Sequence, residues 1–154
     1  MVSLLVANPS RNLVTAARQQ ATRDWWHLRR GLFQCVTSDE TLTEAARGDA
    51  EQARLRLAAL ATLPSLTITE EAENLAAEFL RTGALPAAAR TDAVHLAVAS
   101  TARTDYLLTW NCRHLANASG GLHGKRSVTV GCCRRFAPPL ELMGDSQYEI
   151  ESDS

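Results

Sequence analysis

The chain has 154 residues, of which 45% are hydrophobic and 21% charged, and its formal charge is −1. That length and balance suit one globular domain and exclude a disordered chain, a coiled coil and a collagen-like repeat. Near-neutral charge also excludes nucleic-acid binding by bulk positive charge, leaving only local basic strips.

All but one of the 16 cationic side chains are arginine, Lys125 being the exception. Arginine grips phosphate bidentately, but genomic bias toward Arg and Ala gives the same composition. No apolar run approaches the ~18 residues of a membrane span. Residues 2–7 are apolar but short, lack a basic segment before them and run into Asn8-Pro9, so no signal peptide is expected. A cytoplasmic location follows as an expectation, with Cys35, Cys112, Cys132 and Cys133 as reduced thiols.

The chain opens on a helix-like segment. Ser10 is then a candidate N-cap for a long helix over 12–30, with Val14, Ala17, Ala21, Trp25 and Leu28 on one face. Residues 32–37 read as a strand, with Phe33, Cys35 and Thr37 on one side. Ser38 and Asp39 offer caps for a helix through Ala46, whose inner stripe is Leu42, Ala45 and Ala46 and which Gly48 ends. Asp49 and Gln52 resemble a capping box. The helix after them runs to about Thr62, with Leu57, Leu60 and Ala61 inward, and Pro64 breaks it.

Residues 66–68 are a short strand. Thr69 caps a helix whose first turn carries Glu70, Glu71 and Glu73, where the helix dipole favours negative charge. Ala72, Leu75, Ala76, Phe79 and Leu80 make its apolar stripe, and Gly83 ends it. Pro86 suits the first turn of a helix reaching Ala102, residues 106–109 a strand, and 111–118 a short helix.

Strands alternating with helices imply an α/β domain with a mainly parallel sheet. One domain over 1–145 and an acidic tail over 146–154 are expected. Within the domain, 119–135 is atypical, with Gly-Gly, Cys-Cys and two basic pairs.

In such a sheet, ligands gather at the carboxyl ends of the strands. The helix after the strand at 32–37 carries Asp39, Glu40 and Glu44, and the strand at 106–109 delivers Thr109, Trp110 and Asn111 to the same edge. Asp92 lies near the start of the preceding helix. Glu44, Asp92 and Asn111 could converge, and converging carboxylates need a cation between them. All-oxygen ligands suit Mg²⁺ or Mn²⁺. Spacing alone leaves the other reading open, in which Glu44 and Asp92 are solvated helix charges.

The run from Thr91-Asp92-Ala93-Val94-His95-Leu96-Ala97 to Leu107-Leu108-Thr109-Trp110-Asn111 resembles a PIN domain of the VapC-like toxin type. The likeness extends through Trp25-Trp26 and Glu44-Ala45-Ala46-Arg47-Gly48-Asp49. It covers about 2–118 and returns at 138–145. It implies a three-layer α/β/α sandwich and a Mg²⁺- or Mn²⁺-dependent ribonuclease that cuts single-stranded RNA. The protein would be the toxin of a type II toxin–antitoxin pair, forming a homodimer or a complex with a small antitoxin. Of four acidic positions in the family, the second matches Glu44, the third Asp92, and the fourth falls at Asn111, an amide.

The family's first strand and its acid have no match here, because Met1-Val2-Ser3-Leu4-Leu5 resembles the segment just after them. A misplaced start codon would account for that, and a compensated frameshift for 119–135. Impaired catalysis is therefore expected, with a catalytically inactive PIN-like binding module as the alternative.

Other constellations are weaker. Cys112, His114, His123, Cys132 and Cys133 match no common zinc spacing. His95 reads as a hydrogen-bonded packing residue rather than a substrate contact. Trp25 and Trp26 read as core or interface rather than base-stacking platforms. Arg29-Arg30, Lys125-Arg126 and Arg134-Arg135 read as solvated surface.

Overall fold

The computed structural model describes residues 1–110 and the backbone of 135–137. Among them are six α-helices: α1 (Val2–Val6), α2 (Leu13–Asp24), α3 (Asp39–Ala45), α4 (Ala50–Leu60), α5 (Glu70–Arg81) and α6 (Arg90–Thr101). Four short strands accompany them: β1 (Thr37–Ser38), β2 (Ser65–Leu66), β3 (Tyr106–Leu108) and β4 (Arg135–Ala137). The chain is mixed α/β, with more helix than strand. β1 pairs with β2 and β3 with β4, both parallel, as two separate two-stranded sheets among the described residues. The expected parallel pairing is present, but one continuous sheet is not.

Local chemistry sets most helix starts. Ser38, Asp49 and Thr69 each accept, through the side chain, a backbone N–H three residues on. Gly48 and Gly83 follow α3 and α5 at φ +85 and +73, where an L side chain would be strained.

The main core lies where α5 packs on α6. Ala72, Ala76 and Phe79 meet Leu85, Ala93, Leu96 and Ala97, and Ala93 and Ala97 are wholly buried. Small side chains there let the two helices approach closely. Leu66 of β2 and Leu107 of β3 pack on this cluster. Leu108 instead joins Trp25, Trp26, Phe33 and Cys35. Successive strand residues point to opposite faces, so β3 is covered on both sides.

Several expectations are corrected. Asn12, not Ser10, caps α2; its Oδ1 accepts from Thr15 N–H, while Ser10 Oγ accepts from Asn12 N–H. The helix expected over 12–30 ends at Asp24, passing into a π-helical turn at Trp25–Arg29 and a 3₁₀ turn at Arg30–Leu32. Val14, Ala17 and Leu28 are exposed rather than inward. The buried face is Gln19, Ala21 and Thr22 instead. Its polar members have partners: Gln19 donates to Asn8 O and accepts from Ser10 N–H. Arg23 donates to Leu5 O and Ala7 O, tying α2 to the end of α1.

The strand expected over 32–37 pairs only at Thr37–Ser38. Phe33 and Cys35 still face Trp25. Thr37 N–H reaches Pro64 O, but Pro64 has no N–H to return, so the ladder stops. The strand expected at 66–68 pairs at Ser65–Leu66. Ala46 and Ala61 lie past the ends of α3 and α4 and are exposed.

α6 begins at Arg90 rather than Pro86, because Ala89 N–H closes a separate turn onto Pro86 O. That brings Asp92, expected only near the start of the helix, into the first turn of α6. β4 adds a strand where none was expected. The helix at 111–118 and the segments 119–134 and 138–154 lie outside the described residues.

Candidate functional site

α3 springs directly from β1, because the last strand residue, Ser38, is also the helix N-cap. Its Oγ accepts Thr41 N–H at 3.3 Å and lies 3.0 Å from Thr41 Oγ1. Asp39 in the first turn accepts Ser65 Oγ–H at 2.9 Å, which binds the start of α3 to β2.

The other end of α3 is held from α4. The Arg56 guanidinium donates to Ala45 O at 2.9 Å and to Arg47 O. A cation at a helix C-terminus satisfies carbonyls that have no partner within the helix and suits the dipole. Glu44 sits in this anchored last turn.

Across from it, α6 buries Ala93, Leu96 and Ala97 and turns Asp92 and His95 toward the other face, both half-buried. His95 Nε2 lies 2.7 Å from Glu44 Oε2. The His95 side chain is 19% exposed and that of Glu44 43%. Three positions along a helix share one face, about 5–6 Å apart at Cβ. His95 therefore lies one turn along α6 from Asp92, and it is His95 that Glu44 meets.

The α-amino group of Met1 shares this environment. Burial pushes its pKa below the ordinary value, and the charge of Glu44 opposes that shift.

No family model matches the chain, and neither curated proteins nor solved structures yield a match.

Of the three sequence-derived candidates, Glu44 and Asp92 lie on neighbouring helices, α3 and α6, and Asn111 lies outside the described residues. The contact made by Glu44 is with His95. Among the described residues, no three His, Cys, Asp or Glu side chains form a group able to hold a metal ion. The donor chemistry of Glu44 and Asp92 still suits a hard cation, since both offer carboxylate oxygens. The cysteine and histidine candidates beyond 111 also lie outside the described residues.

At the carboxyl end of β3, Trp110 donates Nε1–H to Thr22 Oγ1 at 2.8 Å, and the Arg18 guanidinium lies 5.5 Å from its ring centroid. Neither partner was evident from sequence. Trp25 is 3% exposed and packs on Trp26 and Phe33, so it is core. Arg30 stacks over Trp26 at 4.5 Å and donates to Thr62. The histidine was legible only in part: Asp-x-x-His spacing puts His95 on the face of Asp92, but nothing local names Glu44 as its partner.

Proposed function

We propose that the chain is a PIN-type, metal-dependent ribonuclease whose carboxylates are Glu44 and Asp92. The observation that carries this reading is the 2.7 Å contact of His95 with Glu44, which joins α3 to the helix that carries Asp92. Carboxylate oxygens suit a divalent cation, and in α/β proteins ligands gather at the carboxyl ends of parallel strands. The resemblance of residues 91–97 and 107–111 supports the same assignment and adds Asn111 as an uncharged oxygen donor.

Glu44 and Asp92 would hold Mg²⁺ or Mn²⁺. The bound ion would supply charge stabilisation at a scissile phosphate and a more acidic water. Glu44 and Asp92 contribute negative charge, while α3 and α6 fix their separation. The proposed role is the toxin of a type II toxin–antitoxin pair in the cytoplasm, with single-stranded RNA as substrate. Exposed Leu13, Val14, Leu28 and Leu32 support a small antitoxin or a second copy as partner.

The test is Mn²⁺ titration alongside cleavage of a single-stranded RNA by the parent chain, Glu44→Gln and Asp92→Asn. A saturable site weakened in both variants, with cleavage lost, is expected. A parent that binds no Mn²⁺ would overturn the reading.

One observation favours a second reading, a non-catalytic binding module. Among the described residues no three His, Cys, Asp or Glu side chains group around a metal site, and the contact made by Glu44 is with His95. RNA or protein binding without any divalent-ion dependence is the result that selects it.

A further inference from the structure

We propose that Arg18, Trp26, Arg30 and Trp110 form a strip that binds single-stranded RNA by base stacking and phosphate contacts. The inference rests on the RNA-binding part of the reading above, which the non-catalytic alternative shares, and it needs no bound cation.

Spacing lays out the strip. Residues 18, 22, 26 and 30 are four apart, and side chains four apart on a helix are neighbours. A step of four overshoots the α-helical turn, so a row of such steps drifts around the axis. The wider π turn at Trp25–Arg29 offsets that drift, and π turns are frequent at functional sites. At the α-helical rise, the row from Arg18 to Arg30 is roughly 18 Å long.

Trp110 covers the middle of the row. It donates Nε1–H to Thr22 Oγ1 at 2.8 Å, and Thr22 is wholly buried beneath it. The Arg18 guanidinium lies 5.5 Å from the Trp110 ring centroid, and that of Arg30 lies 4.5 Å from the centroid of Trp26. Arg18 is exposed, while Trp26, Arg30 and Trp110 are half-buried. Two cation–aromatic pairs thus follow one another along one row. Trp110 stands just past β3, at the kind of sheet edge where ligands gather in α/β domains.

What holds these arginines sets them apart. Arg54 and Arg81 each meet a carboxylate at 2.6 Å, from Glu51 and Glu78, which cancels their charge locally. Arg18 meets an indole, and Arg30 meets an indole and the Thr62 hydroxyl. Those partners are neutral, so both positive charges remain. A contact with the aromatic face uses the guanidinium plane and leaves N–H donors at its edge for a phosphate. Stacking also orders both side chains in advance, which lowers the entropy cost of binding.

The arrangement favours RNA over an acidic protein segment. A single strand presents phosphates and flat bases in alternation, and grooves that bind it combine cations with aromatic platforms. An acidic segment needs charge alone. The exposed Leu13 and Leu28 fall on a different row, through Ala17, Gln20 and Asp24, so the strip itself is aromatic and cationic.

The experiment uses the full chain and a fluorescein-labelled oligouridine of about ten nucleotides, followed by anisotropy in EDTA across a range of salt. Arg18→Ala and Arg30→Ala should each weaken binding about tenfold. Each should also lower the slope of log affinity against log salt by about 0.7, the share of one single-strand phosphate. Arg18→Lys and Arg30→Lys keep the charge, so the slope should stay while affinity falls, because an ammonium has no plane to stack. The lysine variants serve as the test if the alanine variants do not fold. Arg54→Ala removes the same formal charge from an ion-paired site and should change neither quantity.

Repeating the titration with Mn²⁺ separates this inference from the reading it rests on. Tighter binding or cleavage with Mn²⁺ belongs to the ribonuclease, equal affinity to the binding module, and the ranking of the variants should be the same in both. A parent chain that binds no oligouridine in EDTA overturns the inference, whatever Mn²⁺ does. So does parental affinity in both alanine variants, or an Arg54→Ala loss equal to theirs, which would mean bulk charge. Competition by polyglutamate as strong as by unlabelled oligouridine also overturns it and makes the partner an acidic protein segment.

Discussion

Trp110 donates its indole N–H to Thr22 Oγ1 at 2.8 Å across 88 residues of sequence. Thr22 is wholly buried and passes its own hydroxyl hydrogen to Arg18 O at 2.7 Å. The relay fastens the chain just past β3 to the last turn of α2, with Arg18 stacked over the same indole. Replacing Thr22 with valine keeps the shape and removes both bonds. The indole N–H is then left without its acceptor, so a loss of about 1–3 kcal/mol is expected. Urea denaturation checks it; an unchanged midpoint would mean that the indole finds water instead.

Glu44→Gln and Asp92→Asn each remove a negative charge and little volume. Under the proposed function, either should lower RNA cleavage on the order of a hundredfold, equivalent to ~2.7 kcal/mol of transition-state stabilisation. Thermal unfolding without metal should stay near that of the parent. Full cleavage by Asp92→Asn at subsaturating Mg²⁺ would remove that residue from the site.

Ala97 is wholly buried between α5 and α6. Ala97→Leu adds volume where the helices leave none, and overpacking of this kind typically costs about 1–3 kcal/mol. Phe79→Ala, in the same cluster, opens a cavity instead and should cost about 3–5 kcal/mol. Equilibrium denaturation should rank Phe79→Ala as the more damaging; the reverse order would place the tighter constraint at Ala97.

Arg103 follows α6 at φ 54, in the left-handed region that glycine favours. Its N–H bonds Ser100 O, and Thr104 N–H bonds Ala99 O, so the turn is needed to end the helix. Arg103→Gly relieves the side-chain strain and should stabilise by up to about 1 kcal/mol. A fall in the melting temperature would show that the arginine side chain contributes more than the strain it carries.

Cys35 packs against Trp25, and burial raises its thiol pKa, with Arg30 pulling it down by a smaller amount. The folded state thus holds this proton more tightly than the unfolded chain does. Its contribution to stability is present below the ordinary thiol pKa and is lost as pH rises above it. At pH 8, iodoacetamide should label Cys35 more slowly in the folded protein than in urea, as peptide mass mapping would report. Equal rates would contradict the burial.

Much of the fold was legible because its causes are local. Ser38, Asp49 and Thr69 were readable as caps, since each bond spans three residues. The stripe of α5 was readable because one helix face against one core repeats every turn. Asp92 was placed near a helix start and lies in the first turn of α6, because the helix begins four residues later than Pro86 suggested.

The face of α2 was not legible: Gln19 and Thr22 are buried there because Asn8, Ser10 and Trp110 fold onto them. The same holds at the candidate site. Sequence by itself placed Glu44 and Asp92 on two different helices. Tertiary structure alone decided that Glu44 meets His95, 51 residues away. Caps and periodicity are settled within a turn or two of chain. A hydrogen bond between α3 and α6 depends on how their buried faces pack, and no local pattern encodes that.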